Sequence, residues 1–135
     1  MTSAKRPDNR LYTLRHPTTG SVVATVNKLD GFWEKGIGLI GRSSLEPATG
    51  VWLSDVASIH TFFVRFPIDI LFLDRQFRLL KSARGVSPWN PLVRCPGAWH
   101  TLELAAGTLD SLDRGLIGKV WLLESSMPNS VQSVE

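Results

Sequence analysis

Four ionisable side chains, His60, Arg65, Asp69 and Asp74, sit inside the largely apolar run from Ile59 to Asp74. A charge among such neighbours is costly unless it is paired or faces a cleft. The guanidinium of Arg42 or Arg65, positioned by Asp69, would make a bidentate clamp for a carboxylate or phosphate. The same Asp69 would serve equally as a strut, tying down one of those arginines or capping nearby N–H groups. Breaking a buried ion pair of that kind costs about 3–5 kcal/mol. His60 offers a general base, set against a core or edge histidine hydrogen-bonded to backbone.

Other residues invite chemistry less strongly. His100 and Glu103 are three apart, a metal-binding spacing on a helix but one that puts them on opposite sides of a strand. With three His and one Cys in the chain, no metal site is expected. Cys95, between Arg94 and Pro96, reads as a free thiol in a loop without a catalytic role. Ser43-Ser44 lacks a nucleophile elbow. Gly36-Ile37-Gly38-Leu39-Ile40-Gly41 fits a dinucleotide spacing, yet no strand–turn–helix context surrounds it, and no cofactor is expected. Trp89 and Trp99 flank Arg94, and aromatics beside arginine can hold a ligand or a single strand.

The elements that must position these groups are mostly strands. Residues 10–14 and 21–26 have strand composition and enclose His16-Pro17-Thr18-Thr19-Gly20, so they read as a hairpin. Asp30 would cap a short helix carrying Phe32, Trp33, Ile37 and Ile40. Val51-Trp52-Leu53 is a short strand. The run 59–73 should make two strands, because Pro67 has no N–H and holds Phe66 extended. Residues 74–77 turn the chain into a strand over 78–83, giving a second hairpin. Residues 85–97, with Pro88, Pro91 and Pro96, form a long loop of a kind often tied to function. A strand over 99–104, a short helix begun by Thr108 and ended before Gly115, and a last strand over 119–124 complete the reading. The expectation is a mainly β (α+β) domain: a single curled sheet or barrel of six to seven strands with two short helices. Residues 1–9 read as a loose leader, 10–124 as the domain and 125–135 as a flexible tail.

The totals narrow the class. A chain of 135 residues with 43% hydrophobic content suits one domain with a real core. Net charge is +3, and the ten arginines are dispersed from Arg6 to Arg114, which disfavours a nucleic-acid surface. One cysteine, no secretory segment and no spanning run point to a soluble, cytoplasmic protein with no membrane partner.

Gly38-Leu39-Ile40-Gly41-Arg42 with Leu45 resembles the Gly-Leu-Met-x-Arg-x-x-Leu signature of the family known as domain of unknown function 192. The run from His60 to Asp74 is similar to that family's second signature, and residues 102–107 and 115–120 resemble later ones. The resemblance covers about residues 22 to 124. It implies a small β-rich prokaryotic domain without an established activity, and supplies no catalytic residues. Some relatives carry export or anchoring segments, a pattern from which this chain departs.

The functional expectation is a small binding or interaction module with a cleft for an anionic ligand or a peptide. Arg42, His60, Arg65, Asp69 and Trp89 are its candidate residues. The alternative is a hydrolase or lyase using His60 as acid/base with arginine stabilising charge.

Overall fold

The computed structural model describes residues 10–29, 44–56, 58–59, 65–88, 93–112 and 114–126. The apolar, β-branched and aromatic runs form strands: β1 (Leu11–Arg15), β2 (Val22–Leu29), β3 (Thr49–Ser54), β4 (Ser58–Ile59), β5 (Ile68–Leu73), β6 (Leu79–Val86), β7 (Val93–Arg94), β8 (His100–Ala105) and β9 (Leu122–Ser125). Seven make one sheet in the order β6-β5-β8-β3-β2-β1-β9, while β4 and β7 pair separately. The sheet is mixed. Its parallel pair is β2 with β3, so a long crossover must join those two strands. Both expected hairpins form, β1 with β2 and β5 with β6.

Alternation sorts the side chains of the central strands onto two faces. On one, Leu14, Ala24, Val26, Trp52, Leu71, Leu73, Leu102 and Leu104 meet Leu109, Leu116 and Trp121 from the segment that follows β8. On the other, Val51, Leu53, Ile68, Ile70 and Phe72 meet Leu29 and Cys95. Burial on both sides explains why β5 and β8 are inaccessible along their whole length.

The sheet is not closed into a barrel, so that form of the expectation is corrected. β6 and β9 are its open ends. They are drawn together only at one corner, around the first face. There Gly118 N–H donates to Leu79 O at 2.8 Å, and Leu79 N–H donates to Lys119 O and Trp121 N–H to Phe77 O, both at 2.9 Å. An isolated bridge between Arg78 and Val120 completes the stitch. Closure stops there because β9 begins past this segment and pairs with β1. Beyond Leu79, no described strand pairs with the outer edge of β6.

The two expected helices stand differently. That over residues 30–41 lies outside the described residues. The one begun by Thr108 is replaced by consecutive tight turns and a 3-10 turn over Arg114–Leu116. Its bonds close over three residues: Thr108 N–H to Ala105 O, Asp110 N–H to Gly107 O and Leu112 N–H to Leu109 O, each at 3.1 Å. Gly107 at φ +92° sets the direction of this segment, and too few residues follow to nucleate an α-helix.

Candidate binding cleft beside the open edge

Asp69 is wholly buried on β5 and faces the same side as Leu71 and Leu73. Its Oδ1 accepts from Gly85 N–H at 2.8 Å. Its Oδ2 accepts from Gly107 N–H at 3.1 Å and from Leu109 N–H at 3.0 Å. Three backbone donors on one carboxylate are each worth about 1.5–3 kcal/mol. The capping form of the strut reading is therefore what the geometry shows. Asp69 fixes the turn segment after β8 over one end of the first face and anchors β6 at Gly85, whose φ of +59° suits glycine.

These anchors frame a cavity of about 290 Å³, lined by Leu71, Leu79, Leu109, Leu112, Leu116, Ile117 and Trp121, with Ser82 and Arg84 from β6. Leu79 and Gly118 close one end through their backbone bond. Arg84 Nη2 donates to Leu112 O at 3.3 Å across the slot. Among the described residues this is the bond its side chain makes, and the residue is exposed beside an apolar hollow. Trp121 is 2% exposed, and its buried Nε1–H has no acceptor among the described residues. A buried donor left without a partner costs about 1–3 kcal/mol.

The sequence candidates are only partly brought into view. Arg42, His60 and Trp89 lie outside the described residues. Arg65 is exposed at the approach to β5, and no ion pair joins it to buried Asp69. A shallower apolar depression of about 230 Å³ lies beside it, lined by Ser44, Leu45, Pro47, Phe66, Pro67, Ala105 and Ala106, and carries no charge.

His100 and Glu103 fall on opposite faces of β8, as their spacing in a strand requires. His100 Nδ1 accepts from Trp52 Nε1–H at 3.0 Å and lies 3.1 Å from Ser54 Oγ, with Phe77 stacked on the ring at 4.1 Å. Burial lowers its pKa, and with Nδ1 already engaged it acts as a neutral packing element. Glu103 stands opposite Val51 and Ile70 across its two neighbouring strands. Burial pushes its carboxyl up to about 7, and no described side chain donates to it. Burial likewise raises the Cys95 thiol, as suits an inert core residue. Among the described residues, no three of His, Cys, Asp and Glu gather to hold a metal ion. None of their helices is long and apolar enough to cross a membrane.

Arg84 and Trp121 were not singled out in the sequence, and Glu103 was weighed only for its spacing from His100. Glu103 had the same signal as Asp69, an acid inside an apolar strand. Arg84 carried none beyond its neighbour Gly85.

Residues 14–115 match the family model of domain of unknown function 192 (DUF192, Uncharacterized ACR). The chain belongs to this family. A curated relative from Thermococcus sibiricus, named UPF0127 protein, is 36% identical over 84 residues, 58% of this chain and 53% of that protein. The chain thus matches about half the length of that relative. Two solved structures share the fold. A Sinorhizobium meliloti protein named as a candidate transcription regulator has a TM-score of 0.70 at 19% identity, covering 86% of this chain and 92% of its own. A protein of unknown function from Novosphingobium aromaticivorans has a TM-score of 0.67 at 18% identity, covering 84% and 83%.

Proposed function

We propose that this member of the family is a cytoplasmic binding module whose ligand has an apolar body and an anionic head, a carboxylate or phosphate. One observation carries the reading: an apolar hollow of about 290 Å³ whose described lining carries one guanidinium, that of Arg84. Ligand sites typically combine apolar walls with a few placed polar groups. Here Arg84 supplies the charge, and Trp121 forms part of the apolar wall. Asp69 acts as a positioning residue, holding Leu109 and the β6 backbone next to Arg84. The anion-binding role expected of Arg42 and Arg65 is here proposed for Arg84.

Isothermal titration with octanoate and with octyl phosphate tests this. Saturable 1:1 binding, weakened about tenfold in Arg84→Ala, is the expected result, equivalent to about 1.4 kcal/mol. Heat no greater than dilution for both probes, or equal affinity in the variant, would overturn it.

A further inference from the structure

The cavity is rimmed by an unpaired strand edge. From Leu80 to Val86, β6 is hydrogen-bonded to β5 on one side, and among the described residues no strand covers its other side. Ser82 and Arg84 belong both to this edge strand and to the cavity lining, while Leu116 and Ile117 line the cavity from the far side of the stitch at Gly118. A free ladder edge with an adjoining apolar pocket is the arrangement by which a sheet takes up an extended peptide. Main-chain bonds then give affinity, and the pocket selects a side chain.

We infer that the natural ligand of this cleft is an extended peptide segment that adds to the outer edge of β6, places one apolar side chain in the hollow and sets a carboxylate against Arg84. This rests on the proposed binding role and names its ligand class. Two further observations fit a peptide. The six residue steps from Leu80 to Val86 span about 20 Å at strand rise, room for roughly six residues of an added strand. Ile117, Val120 and Leu122, at 55%, 50% and 51% exposure, flank the seam as uncovered apolar side chains.

The edge is otherwise guarded by cations. Arg78, Lys81 and Arg84 recur along β6 and its approach, a device that blunts self-pairing of edge strands. Their sign repels a second copy of the same edge and attracts an acidic segment. A peptide with an acid two residues from its apolar anchor presents both groups on one face.

The test uses a hexapeptide alternating threonine with valine or leucine and ending in a free glutamate, read by amide and indole NMR shifts. Its backbone N-methylated analogue, its C-terminally amidated analogue and octanoate are run in parallel on the full chain. The expected result is saturable binding that shifts amides over Leu80–Val86 and the Trp121 indole N–H. Affinity should fall at least tenfold on N-methylation and in Arg84→Glu. Comparable weakening of the amidated peptide would assign Arg84 to a terminal carboxylate; an unchanged affinity would assign it to the glutamate side chain. Octanoate binding without peptide binding, or a peptide indifferent to N-methylation, would overturn this inference while leaving the cleft's binding role intact. Silence of both probes removes both. Concentration-dependent dimerisation that shifts the same β6 amides gives the edge to a second copy and also overturns the peptide assignment.

Discussion

Asp69 and Leu109 are 40 positions apart, yet the Leu109 amide donates to Asp69 Oδ2 at 3.0 Å inside the protein. Through this bond a single carboxylate on β5 determines where the turn segment after β8 sits. The cavity wall, with Leu109, Leu112 and the Arg84 contact to Leu112 O, follows from it.

Removing that carboxylate should collapse the wall. Asp69→Ala leaves one buried and two part-buried backbone donors without their acceptor, and unfolding in urea should show a loss of about 3 kcal/mol. Asp69→Asn offers only one acceptor oxygen and should lose about 2 kcal/mol. A change below 1 kcal/mol in both would show that the cap does not hold the segment.

Glu103 gives a pH signature. The folded carboxyl keeps its proton up to about pH 7, whereas the ordinary glutamate value is 4.5. Between those values the folded chain binds more protons than the unfolded one, so this contribution to stability falls as pH rises from about 4.5 to about 7, then levels off. Glu103→Gln should therefore stabilise the protein at pH 8 by on the order of 3 kcal/mol and leave it nearly unchanged at pH 4. His100, whose pKa is lowered chiefly by burial, acts in the opposite direction, costing stability as pH falls below its ordinary 6.5. Comparing the parent and the variant at each pH cancels that term. Equal melting temperatures at pH 8 would contradict the burial of Glu103.

Phe77 occupies the left-handed region at φ +67° in the β5–β6 turn, while its ring stacks on His100. The turn is wound by Asp74 Oδ1, which accepts from Gln76 N–H and Arg78 N–H. Both Phe77→Ala and Phe77→Gly lose the stack, but only glycine relieves the backbone. The glycine variant should be the more stable by about 1 kcal/mol, measured by thermal unfolding. The reverse order would mean that the turn carries no such strain.

Gly50 on β3 faces Leu104 across the β3–β8 pair, and a Cβ there would overlap the Glu103 carbonyl oxygen and the Leu104 backbone. Gly50→Ala should cost about 3 kcal/mol or more, because backbone rather than a flexible side chain must move. A circular-dichroism melt within 2 °C of the parent would rule this out.

Much of the framework was legible in the chain. Alternation and turn chemistry located both hairpins, and Pro67 marked the start of β5 correctly. The capping role of Asp69 was one of the readings its apolar neighbours allowed. Its partners were not legible, because Gly85, Gly107 and Leu109 meet it only through the sheet order β6-β5-β8. The same holds for the open edge. Strand count alone does not say whether a curled sheet closes, and here closure is decided by where a few bonds at Leu79 stop. Arg84 was invisible for another reason: an exposed arginine in an edge strand looks like any other until the hollow beside it is seen. The burial of Trp121, with no acceptor for its N–H among the described residues, likewise depends on tertiary placement.

The central claim is that the hollow bordered by Arg84 and Trp121 receives a ligand. An NMR titration of uniformly 15N-labelled protein with octanoate tests this, since Trp121 lines the cavity and its indole N–H shift reports on the ring's surroundings. A ligand in the hollow should shift that resonance saturably, together with the amides of Ser82, Arg84 and Leu112, and the shift should be lost in Arg84→Glu. An unmoved indole signal, with any shifts confined to the surface around Phe66 and Ala105, would contradict it.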